Sequence, residues 1–346
     1  MISGRILTCV KIVAVCSFLL ASGCISTAEK PAKPEAAIQK QAPEATGAEK
    51  VTVALKFKPQ QSTTYRLITE AKRTLEFEGS FSDNADLKGG SNDGKIDMTF
   101  TQQIQSVDEK GNAVAKITIK ELKVFSTYKD KPVLDFDSAR EADQNSPLGK
   151  LIGRNYLIEI APTGQVTKVI DAEQARSSLT GTSVADKAAL KLLSTDAIKQ
   201  RHSVYALPAA GKNQLRIGQT WSTLQTFSFD IMGSESYEKI FTLKQIKDHA
   251  NRQIAIADMK AIPASESLEQ SPEEQVPSSF LDMFDNTETY LGRLEFDLTS
   301  GEIEKYSEQL KSDWVAAEPL DEEKPEKMPG VMKMGAVRIY NLERVD

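Results

Sequence analysis

Cysteine, histidine and tryptophan are scarce in this chain: three, two and two among 346 residues. Cys9, Cys16 and Cys24 all lie near the start, so nothing from Ile25 onward can form a disulfide, bind zinc through sulfur or act as a thiol nucleophile. His202 and His249 stand apart and in no H-E-x-x-H spacing, which removes the familiar zinc patterns. No glycine-rich phosphate loop and no Gly-x-Ser-x-Gly elbow occurs. Cations are in deficit, 43 Lys and Arg against 49 Asp and Glu, and they form no run along the chain. A net charge of −6 without a basic cluster argues against a nucleic acid partner and against attraction to anionic headgroups.

What is present begins with Ile12 to Gly23, an uncharged and mostly apolar stretch behind Arg5 and Lys11. It is long enough for a secretory core but short of the ~20 residues a spanning helix needs. The following Leu20-Ala21-Ser22-Gly23-Cys24 resembles the lipobox of bacterial lipoproteins, with Ala21 where leucine is commoner. That resemblance implies a signal peptide over 1–23, a diacylglycerol on the Cys24 sulfur and an acylated new amino terminus. It implies residence in the cell envelope, and Ile25 in place of Asp implies the outer membrane if the bacterium is diderm. The residues alone also fit a plain signal peptide, leaving Cys24 spare, or an uncleaved anchor over Ile6 to Ile25. Removal of Arg5 and Lys11, with no acid before Cys24, makes the charge −8.

Residues 24–50 hold Pro31, Pro34 and Pro43 and no aromatic residue, so they cannot bury enough apolar surface to order themselves. They read as a tether with a mean span of roughly 25–30 Å. From Val51 the pattern alternates with a period of two. Val51, Val53, Leu55 and Phe57 share one strand face; Tyr65, Leu67 and Thr69, running on to Leu75 and Phe77, form a second. Ile96, Met98, Phe100 and Ile104 follow, and the loop before them, Ser82 to Lys95, is rich in Asn, Asp and Gly. Ala113, Ala115, Ile117 and Ile119 slip out of phase to Leu122 and Val124, which predicts a bulge near Glu121. Turns at Asp108–Asn112, Pro162–Gly164 and Thr299–Gly301 each carry a glycine and predict hairpins. Between two β-rich stretches, Ala172 to Leu207 has a capping box, Ser183-x-x-Asp186, and helical spacing at Leu190, Leu193, Ala197 and Val204. Ser265 to Ser279 reads as a loop, and Glu318 to Pro329 as an acidic linker before a last strand, Ala336 to Val345, that closes the sheet.

Several of these landmarks resemble a family of uncharacterised secreted and lipid-anchored bacterial β-rich domains. They are Leu55-Lys56-Phe57-Lys58-Pro59 with Tyr65-Arg66-Leu67, Asp135-Phe136-Asp137-Ser138, the Gly164 hairpin, and Leu207-Pro208 followed by Ile217-Gly218-Gln219-Thr220-Trp221. The resemblance covers roughly residues 50 to 315. Gln60, Gln61 and Gln219 depart from the family's usual residues. It implies a strand-rich body and brings no activity.

Candidate chemistry is thin. His202 and His249 are expected at the surface. Ser126-x-x-Lys129 with Ser82-Asp83-Asn84 matches fragments of the penicillin-interacting pattern, but in reversed order and with Ser126 in strand sequence. Asp83, Asp86, Asn92, Asp93 and Asp97 could offer oxygens to calcium, although their spacing fits no twelve-residue calcium loop. Asp135 and Asp137 form a carboxylate pair on one strand face and read as solvated. Trp221, Trp314, Tyr65, Tyr156 and Tyr290 either line a ligand cavity or pack the core, and core is the expectation.

The fold expected is therefore mainly β: two antiparallel meanders, 51–172 and 213–346, forming a curved, half-barrel-like sheet with a helical insert over 173–212. No catalytic residue, metal ligand or cofactor site is expected. The functional expectation is a non-catalytic, lipid-anchored envelope protein that binds an apolar or envelope-derived ligand. The alternative is a structural or protein-interaction lipoprotein.

Overall fold

In the computed structural model the described residues are 50–82, 87–177, 179, 181–229, 233–249, 251–264, 283–318 and 328–345. The expected signal peptide, Cys24 and the expected tether up to residue 49 lie outside them, as do the expected loop at Ser265–Ser279 and most of the expected acidic linker.

Long strands follow from the alternation. The first meander comprises β1 (Val51–Thr52), β2 (Ser62–Glu78), β3 (Gly90–Val107), β4 (Ala113–Tyr128), β5 (Lys131–Asp137), β6 (Asn155–Ile160) and β7 (Val166–Asp171). The insert supplies α1 (Glu173–Arg176), α2 (Val184–Leu192) and α3 (Thr195–His202). Then come β8 (Gln214–Leu215), β9 (Thr220–Ser228), β10 (Ser234–His249), β11 (Arg252–Pro263), β12 (Asp285–Asp297), β13 (Glu302–Ala317) and β14 (Val331–Arg344). Twelve strands form one antiparallel sheet ordered β7-β6-β4-β3-β2-β14-β13-β12-β11-β10-β9, with β5 also pairing β4. β1 and β8 pair separately. The sheet is not closed: β7 and β9 are its edges.

The last strand differs from expectation in both extent and place. It begins at Val331 and runs down the middle of the sheet, pairing β2 on one side and β13 on the other. It joins the two meanders without closing the sheet as expected, and one hydrophobic cluster spans both of them. The expected loop over Ser82 to Lys95 is corrected too, because β3 already starts at Gly90. Its polar residues stay in strand geometry by bonding the β4–β5 turn: Asn92 Oδ1 accepts from the Lys129 amide at 2.9 Å, and Asp130 Oδ1 accepts from the Ser91 amide at 3.2 Å. The first expected strand face is also shorter, since only Val51–Thr52 pairs as a strand.

The bulge falls where the phase slip put it. Thr99 faces Glu121 and Phe100 faces Ile119, so Lys120 is the extra residue. The bend divides the free edge of β4: residues before it pair β6 and residues after it pair β5. The insert consists of three short helices. At α2, Ser183 Oγ accepts from the Asp186 amide at 3.1 Å, and Asp186 Oδ2 accepts from the Ser183 amide at 3.1 Å. Ser194 caps α3 in the same way at 3.2 Å. Ala189, Leu192, Leu193, Ile198, Val204, Ala206 and Leu207 then bury themselves in the common core, so the insert fills the concave side of the sheet.

Two hairpin glycines hold neighbouring segments in place, Gly164 the end of the insert and Gly301 the segment after β1. Gly164, at φ +82°, gives its carbonyl to the Val204 amide at 2.9 Å where the chain leaves α3, and a Cβ there would lie 2.8 Å from Val204 O. Gly301, at φ +72°, accepts the Lys56 amide at 2.9 Å, and a Cβ would lie 2.5 Å from that of Lys56. Both conformations suit glycine and leave no room for a side chain.

Candidate functional site

Two small cavities adjoin beneath the insert, of about 30 and about 10 Å³. The larger has room for a water molecule or two. Residues from Leu55, Tyr65, Phe100, Gln102, Arg201, His202 and Tyr340 face it.

His202 is buried, contrary to the surface position expected. It ends α3, and its Nε2 lies 2.6 Å from the Tyr156 hydroxyl while Phe100 meets its ring edge-on at 4.7 Å. Burial, and then the Arg201 charge, push its pKa well below the usual value, so it is a neutral packing residue. His249 is exposed at the end of β10. The carboxylate pair is a surface feature: Asp135 bonds Arg140 at 2.8 Å and Asp137 bonds Lys123 at 3.0 Å, with Phe136 buried between them. The Ala139 amide, and next Lys123, hold Asp137 below its ordinary pKa. Ser126 lies within β4, and Lys129 turns out at φ +48° with its Nζ 5.6 Å from the Tyr128 ring. Asp83, Asn84 and Asp86 lie outside the described residues. Asp97 pairs with Arg66 at 2.6 Å. Among the described residues no group of three or more His, Cys, Asp or Glu is placed to hold a metal ion, and no helix is long and apolar enough to cross a membrane. Trp221, Trp314, Tyr65, Tyr156 and Tyr290 are all core residues.

The second meander contains polar chemistry that the linear reading did not find. Lys239, fully buried on β10, reaches Glu308 on β13 at 3.0 Å, Gln225 on β9 at 2.7 Å and the Tyr306 hydroxyl at 3.1 Å. The Tyr290 hydroxyl donates to the same Glu308 oxygen at 2.9 Å, and Tyr306 donates to it as well. Every donor on the ammonium thus has an acceptor, although burial still pulls its pKa down. Nearer the rim, the Tyr237 hydroxyl lies 2.8 Å from Glu288 and 3.1 Å from Glu235, and Ser312 donates to Glu288 at 2.9 Å. Burial first, and the Glu288 charge second, raise Glu235 to about 7.

A cationic strip crosses the concave side where the meanders meet. Arg338 on β14 lies with its guanidinium 5.0 Å from the Phe227 ring and 5.5 Å from Phe229, and it donates to Ser228 O at 2.6 Å. Arg338 stands opposite Ala71 and Ala336 opposite Arg73, so the two arginines are diagonal neighbours on one face. Lys191, in the last turn of α2, lies within reach of the Arg73 charge. Burial, then Arg73, lowers Arg338 to about 10 and lowers Lys191 in the same order. One pair further along the same face stand the half-buried Leu75 and Met334. The inward direction of three of these charges was legible, since Lys239, Glu308 and Arg338 each fall in phase with buried neighbours on their strands.

Fold and site together define a mainly β protein built on one open antiparallel sheet with an internal helical layer. No protein-family model matches the chain, and no curated protein matches it. Among solved structures, one described as lipid–protein interactions in lipovitellin is similar at a TM-score of 0.37 and 12% identity, over 84% of this chain and 26% of that one. The chain therefore spans about a quarter of that relative's length. DynF, from the dynemicin biosynthesis pathway of Micromonospora chersina, is similar at a TM-score of 0.19 and 7% identity, over 88% of this chain and 93% of its own. Neither score is high enough to carry an argument.

Proposed function

We propose that this chain is a non-catalytic, lipid-anchored envelope protein of the secreted and lipid-anchored β-rich kind it resembles, tethered through Cys24. Its β body takes an anionic, envelope-derived ligand across the strip formed by Arg73, Arg338 and Lys191, with the apolar part of that ligand against Leu75 and Met334. The observation carrying this reading is the convergence of three half-buried cations on one concave strip beside half-buried apolar side chains. Arg338 and Lys191, beside Arg73, offer cations to which an anionic group can bind. The small size of the cavity of about 30 Å³ supports a ligand bound on the strip.

The full chain carrying Cys24→Ser should leave the membrane while keeping its fold, and it provides soluble protein for the test. Calorimetry with dihexanoylphosphatidylglycerol should show saturable binding that Arg338→Gln weakens at least about tenfold, with far weaker binding of the zwitterionic choline analogue. Equal binding of both amphiphiles, or of neither, would refute the strip as a headgroup site.

A further inference from the structure

Arg201 is the most deeply buried cation of the insert, with 6% of its surface exposed. It lies in the last turn of α3, and its Nη2 donates to Leu192 O at 2.7 Å, at the C-terminal end of α2. The carbonyls of a helix end supply roughly half an elementary charge, so they offset only part of the guanidinium. The Arg201 Nη1 is buried and has no hydrogen-bond partner. Among the described residues no carboxylate pairs with Arg201. The acid nearest the cavities, Glu302, is bound to Arg344 at 3.1 Å and to Thr63 at 2.5 Å.

An arginine cannot discharge this cost by losing its proton. A buried charge lacking a counter-charge is strongly destabilising, and an unmade bond from a charged donor adds to it. Arg201, whose charge also acts on the Tyr156 hydroxyl, is among the residues lining the cavity of about 30 Å³, with Gln102, able to donate through its amide, and the neutral His202. A water molecule fits that space but leaves the charge uncompensated. A halide ion or a single carboxylate group fits it and supplies the charge.

We propose that the cavity beneath the end of α3 is a binding site for a small monovalent anion, held by Arg201 with Gln102 as a second donor. This site is separate from the Arg338 strip, and its test does not depend on that reading. The anion is either free in solution or the carboxylate end of a longer molecule, and the two differ in what they do to the full-length protein in detergent. Thermal unfolding at constant ionic strength, with 2-(N-morpholino)ethanesulfonate as a bulky reference anion that lacks a carboxylate, should show a saturable rise in Tm on replacing that sulfonate by chloride or by acetate. A free small anion predicts that octanoate does no better than acetate. A buried carboxylate terminus predicts octanoate effective at concentrations at least about tenfold lower.

Arg201→Met should abolish the anion dependence, and Gln102→Leu should raise the half-saturating concentration several-fold. Should Arg201→Met fail to fold, wild-type crystals soaked in bromide give an independent readout: an anomalous peak beside Arg201 is expected. A Tm indifferent to chloride and acetate, or a bromide soak without that peak, would overturn the proposal and assign the cavity to water.

Discussion

The two halves of the sheet solve the same problem in opposite ways. The concave face of the first meander is almost purely apolar: Leu67, Met98, Ile117, Ile119, Leu122 and Ile158 are fully buried, and the insert provides the layer that covers them. The second meander takes only part of its cover from the insert, where Trp221 donates to Ala206 O and Lys239 lies over the Tyr205 ring, and supplies the rest itself. Ser228 on β9 and Arg338 on β14 are five strands apart in the sheet, a separation of about 24 Å if it were flat, yet they share a hydrogen bond of 2.6 Å. Phe229 likewise meets Trp314 of β13 at 5.3 Å. The sheet curls until its own inner side chains meet, and Lys239 and Glu308 inside it satisfy each other. A face covered by helices can stay greasy and flat enough to pack them. A face that closes on itself brings distant strands together, and a paired charge between them ties that curvature to specific partners.

The sharpest way to break this comparison is to remove one end of the buried pair. Lys239→Met leaves Glu308 without its cation and should cost about 3–5 kcal/mol in urea unfolding. Adding Glu308→Gln should restore a large part of that loss, because the penalty lies in the unpaired charge more than in the missing attraction. In the first meander Ile117→Ala should cost about 2–5 kcal/mol through the cavity it leaves, with no second substitution able to rescue it so simply. If the double variant is as unstable as Lys239→Met alone, the pair does not work as a unit.

How much of this was legible depends on which distances a linear pattern records. Alternation marks strands and their faces, so β2, β4 and β6 and the slip at Lys120 could be read directly. The Ser183–Asp186 box marked the start of α2 because capping is local. The place of β14 was not legible, since its Val337 and Ile339 identify a strand but not the strands beside it. Nor was the cationic strip, whose members come from β2, α2 and β14. The chain has no basic run to betray it, and an expectation of no affinity for anionic headgroups followed from that linear view. Face assignment reports which residues look inward. It does not report how tightly the sheet bends, and the bend decides which inward residues touch.

A smaller effect tests whether the insert truly serves as the missing layer of the first half. Ser183→Ala removes one side of the capping box at α2, a change of about 1 kcal/mol for a helix that contributes to global stability. Because Ala189 and Leu192 sit in the common core, the whole unfolding transition should shift to lower urea with an unchanged slope. A separate early transition would show instead that the insert detaches while the sheet stands.

The smallest effect belongs to the rim of the second half. Glu235 sits at about 7 against an ordinary 4.5, through burial and the Glu288 charge, with the Tyr237 hydroxyl and Ser312 completing the cluster. A carboxyl raised on folding binds more protons in the native state than in the unfolded one between those values, so stability must fall as pH rises. The contribution is fully present below about pH 4.5 and is lost as pH passes through about 7. Screening at a half-exposed carboxyl limits it to the order of 1 kcal/mol or less. Urea titrations at stepped pH should show this decline in the wild type, and Glu235→Gln should flatten it because a neutral amide carries no charge toward Glu288. A decline that survives in Glu235→Gln would place the titrating group elsewhere and leave the two carboxyls independent of each other.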